Sequence, residues 1–129
     1  MPDRIIHHVD FSVTDFAVSR AFYRTLLAPL GLSLVLEFDR GGGRLLAGFG
    51  SPPDPVFWIR SGKPFTDRQH VAFLTDSRAA VDAFHHAGLE AGGASNGPPG
   101  LRPDYAANYY AAYVLDPDGH NIEAVCRNG

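Results

Sequence analysis

The chain's stock of metal-binding and acid–base groups includes six histidines, fourteen acidic residues and one cysteine, and two of the histidines stand out by how they recur. Sliding the sequence against itself by 62 residues pairs His8 with His70, Val9 with Val71 and Phe11 with Phe73. The same offset pairs Ala17 with Ala79, Ala21 with Ala83, Phe22 with Phe84 and Gly31 with Gly93, seven identities ordered as strand, helix and helix-ending glycine. Such a series marks an internal repeat, with His8 and His70 at equivalent places in two copies of one unit. Strand side chains alternate, so His8 shares a face with Asp10 and Ser12 while Val9, Phe11 and Val13 share the other. The apolar face must meet a helix, which turns His8, and by repetition His70, to the opposite, concave side. Glu123 lies on the last strand, where the pattern permits the same direction. Two imidazoles and one carboxylate from separate strands suit a 2-His-1-carboxylate metal site with positions left open for water or substrate. A lone strand histidine is more often a hydrogen-bonded structural residue, and a glutamate near the chain end a surface carboxylate; the repeat favours the shared ion. His7 is expected to face the helix layer, His85 and His86 to ride on a helix without a second ligand at useful spacing, and His120 to lie in a turn.

The elements that must position these groups follow from the same pattern. Ile5 to Val13 reads as a strand, and Asp15 caps a helix in which Val18, Ala21, Phe22 and Leu26 recur at helical steps until Pro29 and Gly31. Ser33 to Asp39, Arg44 to Phe49 and Val56 to Arg60 are strands, the first two joined by Gly41-Gly42-Gly43. That triple glycine sits between strands with no helix to follow, so it is a hairpin and not a phosphate loop. The second copy has a strand from His70 to Thr75, a helix from about Arg78 to Ala87 ended by Gly88, and a weak strand over Leu89 to Ala94. Ser95 to Asn108 is expected to be an ordered loop, and Tyr109 to Leu115 and Asn121 to Cys126 close the copy as strands. Both copies read βαβββ.

The 129 residues suit one domain, residues 1–129, with module one at about 1–62 and module two at about 63–129. Hydrophobic residues at 45% and charged residues at 19% exclude a disordered chain. A formal charge of −3 with no basic run gives no footprint for nucleic acid or an anionic membrane, leaving a small molecule as the expected partner. Cys126, the only cysteine, excludes an intrachain disulfide and a CxxC site and suits a cytoplasmic setting. The longest apolar stretch is broken by Pro29, Gly31 and Ser33, and the first ten residues lack the features of a signal peptide.

The run His8-Val9-Asp10-Phe11-Ser12-Val13, followed by Asp15, Ser19, Phe22 and Tyr23, resembles the opening of the glyoxalase, bleomycin-resistance and extradiol-dioxygenase (vicinal oxygen chelate) superfamily. His70-Val71-Ala72-Phe73 is similar to its mid-chain strand, and Asp116-Pro117-Asp118-Gly119-His120-Asn121-Ile122-Glu123 to its close. The resemblance implies an α+β fold of two tandem βαβββ modules forming a cupped mixed sheet with helices on the outer face. It implies one divalent metal ion, iron, manganese, nickel or zinc, held by His8, His70 and Glu123, with Glu123 also the catalytic group, and a homodimer. The chemistry implied is of lyase, isomerase, transferase or dioxygenase type on a small oxygenated molecule that chelates the metal. Bacterial glyoxalase I enzymes carry a further glutamate on the last strand of the first module, and its nearest counterpart here is Trp58. Indole neither ligates a metal nor accepts a proton, so efficient glyoxalase I activity is not expected. The superfamily also includes metal-free proteins that sequester antibiotics, and a metal-free module binding an antibiotic or aromatic ligand is the alternative function.

Trp58 and Arg60 share a strand face and offer an aromatic wall and a cation if that face is the cup's interior; core packing and solvent are their other fates. The stiff, aromatic segment from Gly97 to Tyr110 reads as a lid, with Arg102, Tyr105 and Tyr110 as substrate contacts.

Overall fold

Phe11 and Val13 are buried while Asp10 is exposed, so the first strand has one apolar face and one polar face, and this division is repeated across both sheets. The computed structural model describes residues 5–63 and 67–128. Module one runs β1 (Val9–Val13), α1 (Phe16–Leu27), a 3-10 turn (Ala28–Leu30), β2 (Ser33–Asp39), β3 (Leu45–Ser51) and β4 (Asp54–Ser61). Module two runs β5 (His70–Leu74), α2 (Arg78–Glu90), β6 (Ala94–Leu101), β7 (Tyr110–Leu115) and β8 (Asn121–Cys126). Each builds a four-stranded mixed sheet, ordered β1-β4-β3-β2 and β5-β8-β7-β6. In each the first strand pairs in parallel with the last, and the other pairings are antiparallel. This is the expected tandem βαβββ arrangement.

The helices begin where side-chain oxygens satisfy free amides: Asp15 accepts from the Val18 amide and Ser77 from the Ala80 amide. Phe22, Tyr23, Leu26 and Leu27 of α1 and Val81 and Phe84 of α2 are buried with Phe11, Phe57, Ile59, Ile122 and Ala124 in one cluster drawn from both modules. Phe57 meets Phe11 at 5.4 Å and Phe73 at 5.6 Å between ring centroids, carrying the core from one module to the other. Among the described residues, no helix is long and apolar enough to cross a membrane.

Two features of module two differ from expectation. Gly88 does not end α2, which continues to Glu90; it lies buried inside the helix, where a Cβ would come within 2.8 Å of Val114 Cγ1 and 2.9 Å of Leu26 Cδ1. The missing side chain is what lets α2 approach β7. The segment from Ser95, expected as a loop, belongs to the edge strand β6 as far as Leu101, and of the expected strand at Leu89–Ala94 only Ala94 is strand, the rest being the end of α2 and a turn. Pro98 and Pro99 are tolerated because β6 lies on the sheet edge and its register shifts between Ser95 and Gly97 and between Gly97 and Gly100.

The two modules are also joined by a buried polar contact. The Tyr23 hydroxyl of α1 donates to Asp116 in the β7–β8 turn, whose other oxygen accepts the amides of Asp118 at 2.9 Å and His120 at 2.8 Å. Burial, followed by the Asp116 charge, pushes the Tyr23 phenol well above its ordinary value of 10. Tyr23→Phe is therefore expected to cost about 1–3 kcal/mol at pH 7, by leaving a carboxylate oxygen short of a donor. A pKa raised in the folded state stabilises fully below the unfolded value and less as pH rises past it. The gap between wild type and Tyr23→Phe in urea unfolding is thus expected to narrow above about pH 10; a constant gap from pH 7 to 11 would contradict the buried neutral phenol.

Candidate functional site

Because Phe11, Val13, Phe57 and Ile59 fill the helix side, Asp10 of β1 and its register partner Trp58 of β4 turn to the open face, as does Arg60. The Trp58 ring stacks on Phe38 of β2, with centroids 6.0 Å apart and planes inclined by 12°. It lies over Gly48 of β3, where a Cβ would come within 2.9 Å of the indole, so only glycine leaves room for the ring. Arg60 pairs with Asp10 at 3.2 Å, and the Arg40 guanidinium sits 5.2 Å from the Phe38 ring centroid. His7 and His8, just before β1, join through their Nδ1 atoms at 2.9 Å, one ring donating and the other accepting. These groups line a cleft of about 330 Å³.

The second sheet has its own open face. Val71, Phe73, Ile122 and Ala124 pack on the helix side, leaving His70 and Glu123 directed away from it. His70 Nε2 lies 2.8 Å from Glu123 Oε1, with the two side chains 52% and 3% exposed. A carboxylate so buried needs donors, and the Tyr109 hydroxyl supplies a second by donating to Oε2. Tyr113, opposite Glu123 on β7, has its ring 6.2 Å from that of His70, and the Arg102 guanidinium covers Tyr113 at 5.4 Å. Arg102 is held by a 2.6 Å bond to the Pro98 carbonyl, and Tyr105 packs edge-on against Tyr109 at 5.1 Å. Burial and the neighbouring Glu123 charge raise the phenols of both Tyr109 and Tyr113, so both remain protonated donors at neutral pH.

The repeat relates the two faces. Asp10 and Ala72 are equivalent at the 62-residue offset; Asp10 stands opposite Trp58, and Ala72 stands opposite Glu123. The indole therefore holds in module one the place that the carboxylate holds in module two.

The profile of the Glyoxalase/Bleomycin resistance protein/Dioxygenase superfamily matches residues 5–124. The chain belongs to this superfamily. A glyoxalase/bleomycin resistance protein from Albidiferax ferrireducens T118 is 34% identical, with 94% of this chain and 97% of that one covered and a TM-score of 0.75. The glyoxylase/bleomycin resistance protein/dioxygenase domain from Frankia sp. EAN1pec is 19% identical, with 97% and 98% covered and a TM-score of 0.73. Glyoxalase I from Zea mays is 19% identical over 96% of this chain and 45% of that one, with a TM-score of 0.72. The latter two show likeness of fold. No curated protein matches the sequence significantly.

Within this superfamily fold the expected site residues fall into two groups. His8, Trp58 and Arg60 line the first face; His70 and Glu123 meet on the second, where Arg102 and Tyr105 lie beside the two tyrosines. Among the described residues, no three His, Cys, Asp or Glu side chains of one chain gather closely enough to hold a metal ion. Tyr110 turns the other way: its hydroxyl donates to Asp82 of α2 at 2.6 Å and its ring lies under Arg78, because alternation along β7 puts it with Ala112 and Val114 on the helix side. Tyr109, one residue earlier, takes the place expected for it. His7 does not face the helix layer; β1 begins at Val9, so alternation does not reach it, and its ring lines the cleft beside His8. Phe38 and Arg40 also join this face, which nothing in their local pattern shows, because β3 is the strand that lies between β2 and β4.

Gly48→Val is expected to push the Trp58 indole out of its seat, moving its emission to the red and raising acrylamide quenching while the helical circular dichroism persists. Trp58 is the only tryptophan, so the signal is unambiguous; unchanged emission would refute this seating.

Proposed function

We propose that the protein is a homodimeric metalloenzyme in which one divalent ion, iron, manganese, nickel or zinc, is held by His70 and Glu123 of one chain and His8 of a second copy. Its substrate on this reading is a small oxygenated molecule, and its reaction a lyase, isomerase or transferase step. The observation that carries the reading is the 2.8 Å approach of His70 Nε2 to the buried Glu123 Oε1. Ligand atoms about 2.0–2.2 Å from one ion lie roughly 3 Å from each other, so this pair suits adjacent coordination positions. A second chain is invoked because His8 opens onto the other sheet's face, and both β1 and β5 are edge strands. On this reading His8 is the ring whose Nδ1–H donates to His7 Nδ1, the tautomer that leaves the Nε2 lone pair to act as ligand. When bound, such an ion supplies a Lewis acid for negative charge developing on chelating oxygens. Glu123 is assigned the proton-transfer role, with the Tyr109 hydroxyl orienting its carboxylate. Trp58 and Arg60 bind the substrate from one side, and Arg102 and Tyr105 shield the other.

Metal analysis of untagged protein is expected to give about one ion per chain, and light scattering twice the 14.0 kDa chain mass. His8→Ala, His70→Ala and Glu123→Ala should each lose the ion and stay folded. Mixing His8→Ala with Glu123→Ala subunits should restore one ion per heterodimer, because one of its two sites then has all three ligands. Metal retained in all three single variants, or a monomer, overturns the proposal.

A metal-free binding protein for an antibiotic or aromatic ligand is the second reading, favoured by the stacked Trp58 and Phe38 wall. The same metal analysis separates the two.

On either reading the protein is not an efficient glyoxalase I. That reaction needs a proton taken and returned at adjacent carbons by basic groups beside the metal, and the place equivalent to Glu123 is filled by Trp58. Asp10, the other carboxylate on that face, is engaged by Arg60. Methylglyoxal with glutathione is expected to turn over well below the usual range of about 1–1,000 per second, with any of several divalent ions present.

A further inference from the structure

We infer that the first-sheet cleft is selective for planar aromatic anions. This rests on the reading of Trp58 and Arg60 as ligand contacts and is independent of whether a metal is bound.

Charge is the first ground. Past Arg40, Leu46 and Arg60 the cleft continues into a second hollow of about 250 Å³ that adds Arg44 to its lining. Three arginines face one carboxylate, Asp10, giving a local charge of +2 with histidines neutral, in a chain whose formal charge is −3. Asp10 is already taken by Arg60, and among the described residues neither Arg40 nor Arg44 has an ion-pair partner. The second ground is how those cations are held. Gly41, Gly42 and Gly43 all have left-handed backbones, with φ of 82°, 64° and 80°, and the turn they make bonds the Arg40 amide to the Arg44 carbonyl at 2.9 Å. Arg44 is braced further by its guanidinium bonds to the carbonyls of Gly41 and Arg40. The triple glycine thus places two cations side by side at one end of the cleft.

The third ground is the flat wall leading to them. The Trp58 and Phe38 planes are nearly parallel, stacked with their centroids 6.0 Å apart, and Arg40 rests on the Phe38 ring, so a planar ring laid against this stack brings an acidic group on its edge toward the guanidinium forks. A volume of about 330 Å³ is at the small end for ligand sites and suits one or two fused rings.

The test uses three probes, 1-naphthoate, 1-naphthamide and cyclohexanecarboxylate, followed by calorimetry and by quenching of Trp58, with the protein both as purified and after chelator treatment. Naphthoate is expected to bind at least tenfold more tightly than either other probe, a difference of about 1.4 kcal/mol. The ratio should be the same with and without chelator. Arg40→Gln, at an exposed position, should bring naphthoate to within about threefold of the amide; Arg44→Gln should move the ratio the same way. Equal binding of naphthoate and naphthamide, absence of naphthoate binding at millimolar concentration, or a preference unaffected by both arginine variants overturns the inference. Selectivity that vanishes with the chelator also overturns it, while leaving the metal proposal intact; selectivity in a protein that holds no metal supports it and removes that proposal alone.

Discussion

The groups that strands carry into the candidate site take their direction from neighbours packed on the helix side. Phe11 and Val13 fix the face of Asp10; Val71 and Phe73 fix that of His70; Ile122 and Ala124 fix that of Glu123. Because the side-chain period of a strand is two, a slip of one residue would drive His70 and Glu123 against the helices and expose their apolar neighbours. Burying one large apolar side chain is worth about 1.5–3 kcal/mol, and each strand carries two or three. The core therefore sets the register more firmly than an exposed ion pair such as Arg60–Asp10, worth at most about 1 kcal/mol.

Glu123 is where this constraint meets its cost. Its carboxylate is nearly removed from water, so its oxygens need partners. His70 and Tyr109 take one oxygen each, one from the edge strand and one from the end of the loop that leads into β7. The result is a carboxylate of fixed orientation beside an imidazole that solvent can still reach. Its position relative to module one is governed from a distance: Asp116, seven residues earlier, is bonded by Tyr23 of α1.

The repeat is legible in the sequence as identities at one offset, the α1 start as a capping Asp15 before an apolar period, and the faces of β1 and β5 as apolar alternation, whereas the pattern of β8 only permits the direction its Glu123 takes. The parts that were not legible share the absence of such a signal. Gly88 reads as a terminator by residue type, and only the proximity of Val114 and Leu26 shows that it is a packing site. Proline and glycine obscure β6, whose edge position tolerates them. His7 lies outside the strand, beyond the reach of its alternation, and in sequence Tyr109 and Tyr110 differ only in which face the strand presents. That His70 meets Glu123 while His8 opens onto a different face depends on how strands and sheets are joined, which no single strand records.

The modules are not of equal length. The β2–β3 connection is the tight glycine turn, whereas β6 and β7 are joined by residues 102–109, closed at its base by the Arg102 amide bonding to the Tyr109 carbonyl at 2.7 Å. A loop sealed at its neck can gain or lose residues at small entropic cost without disturbing either ladder. It carries Tyr105 and ends at Tyr109, beside Glu123. The strands thus hold the carboxylate where the core puts it, while the segment beside it is closed separately and can change length without moving them.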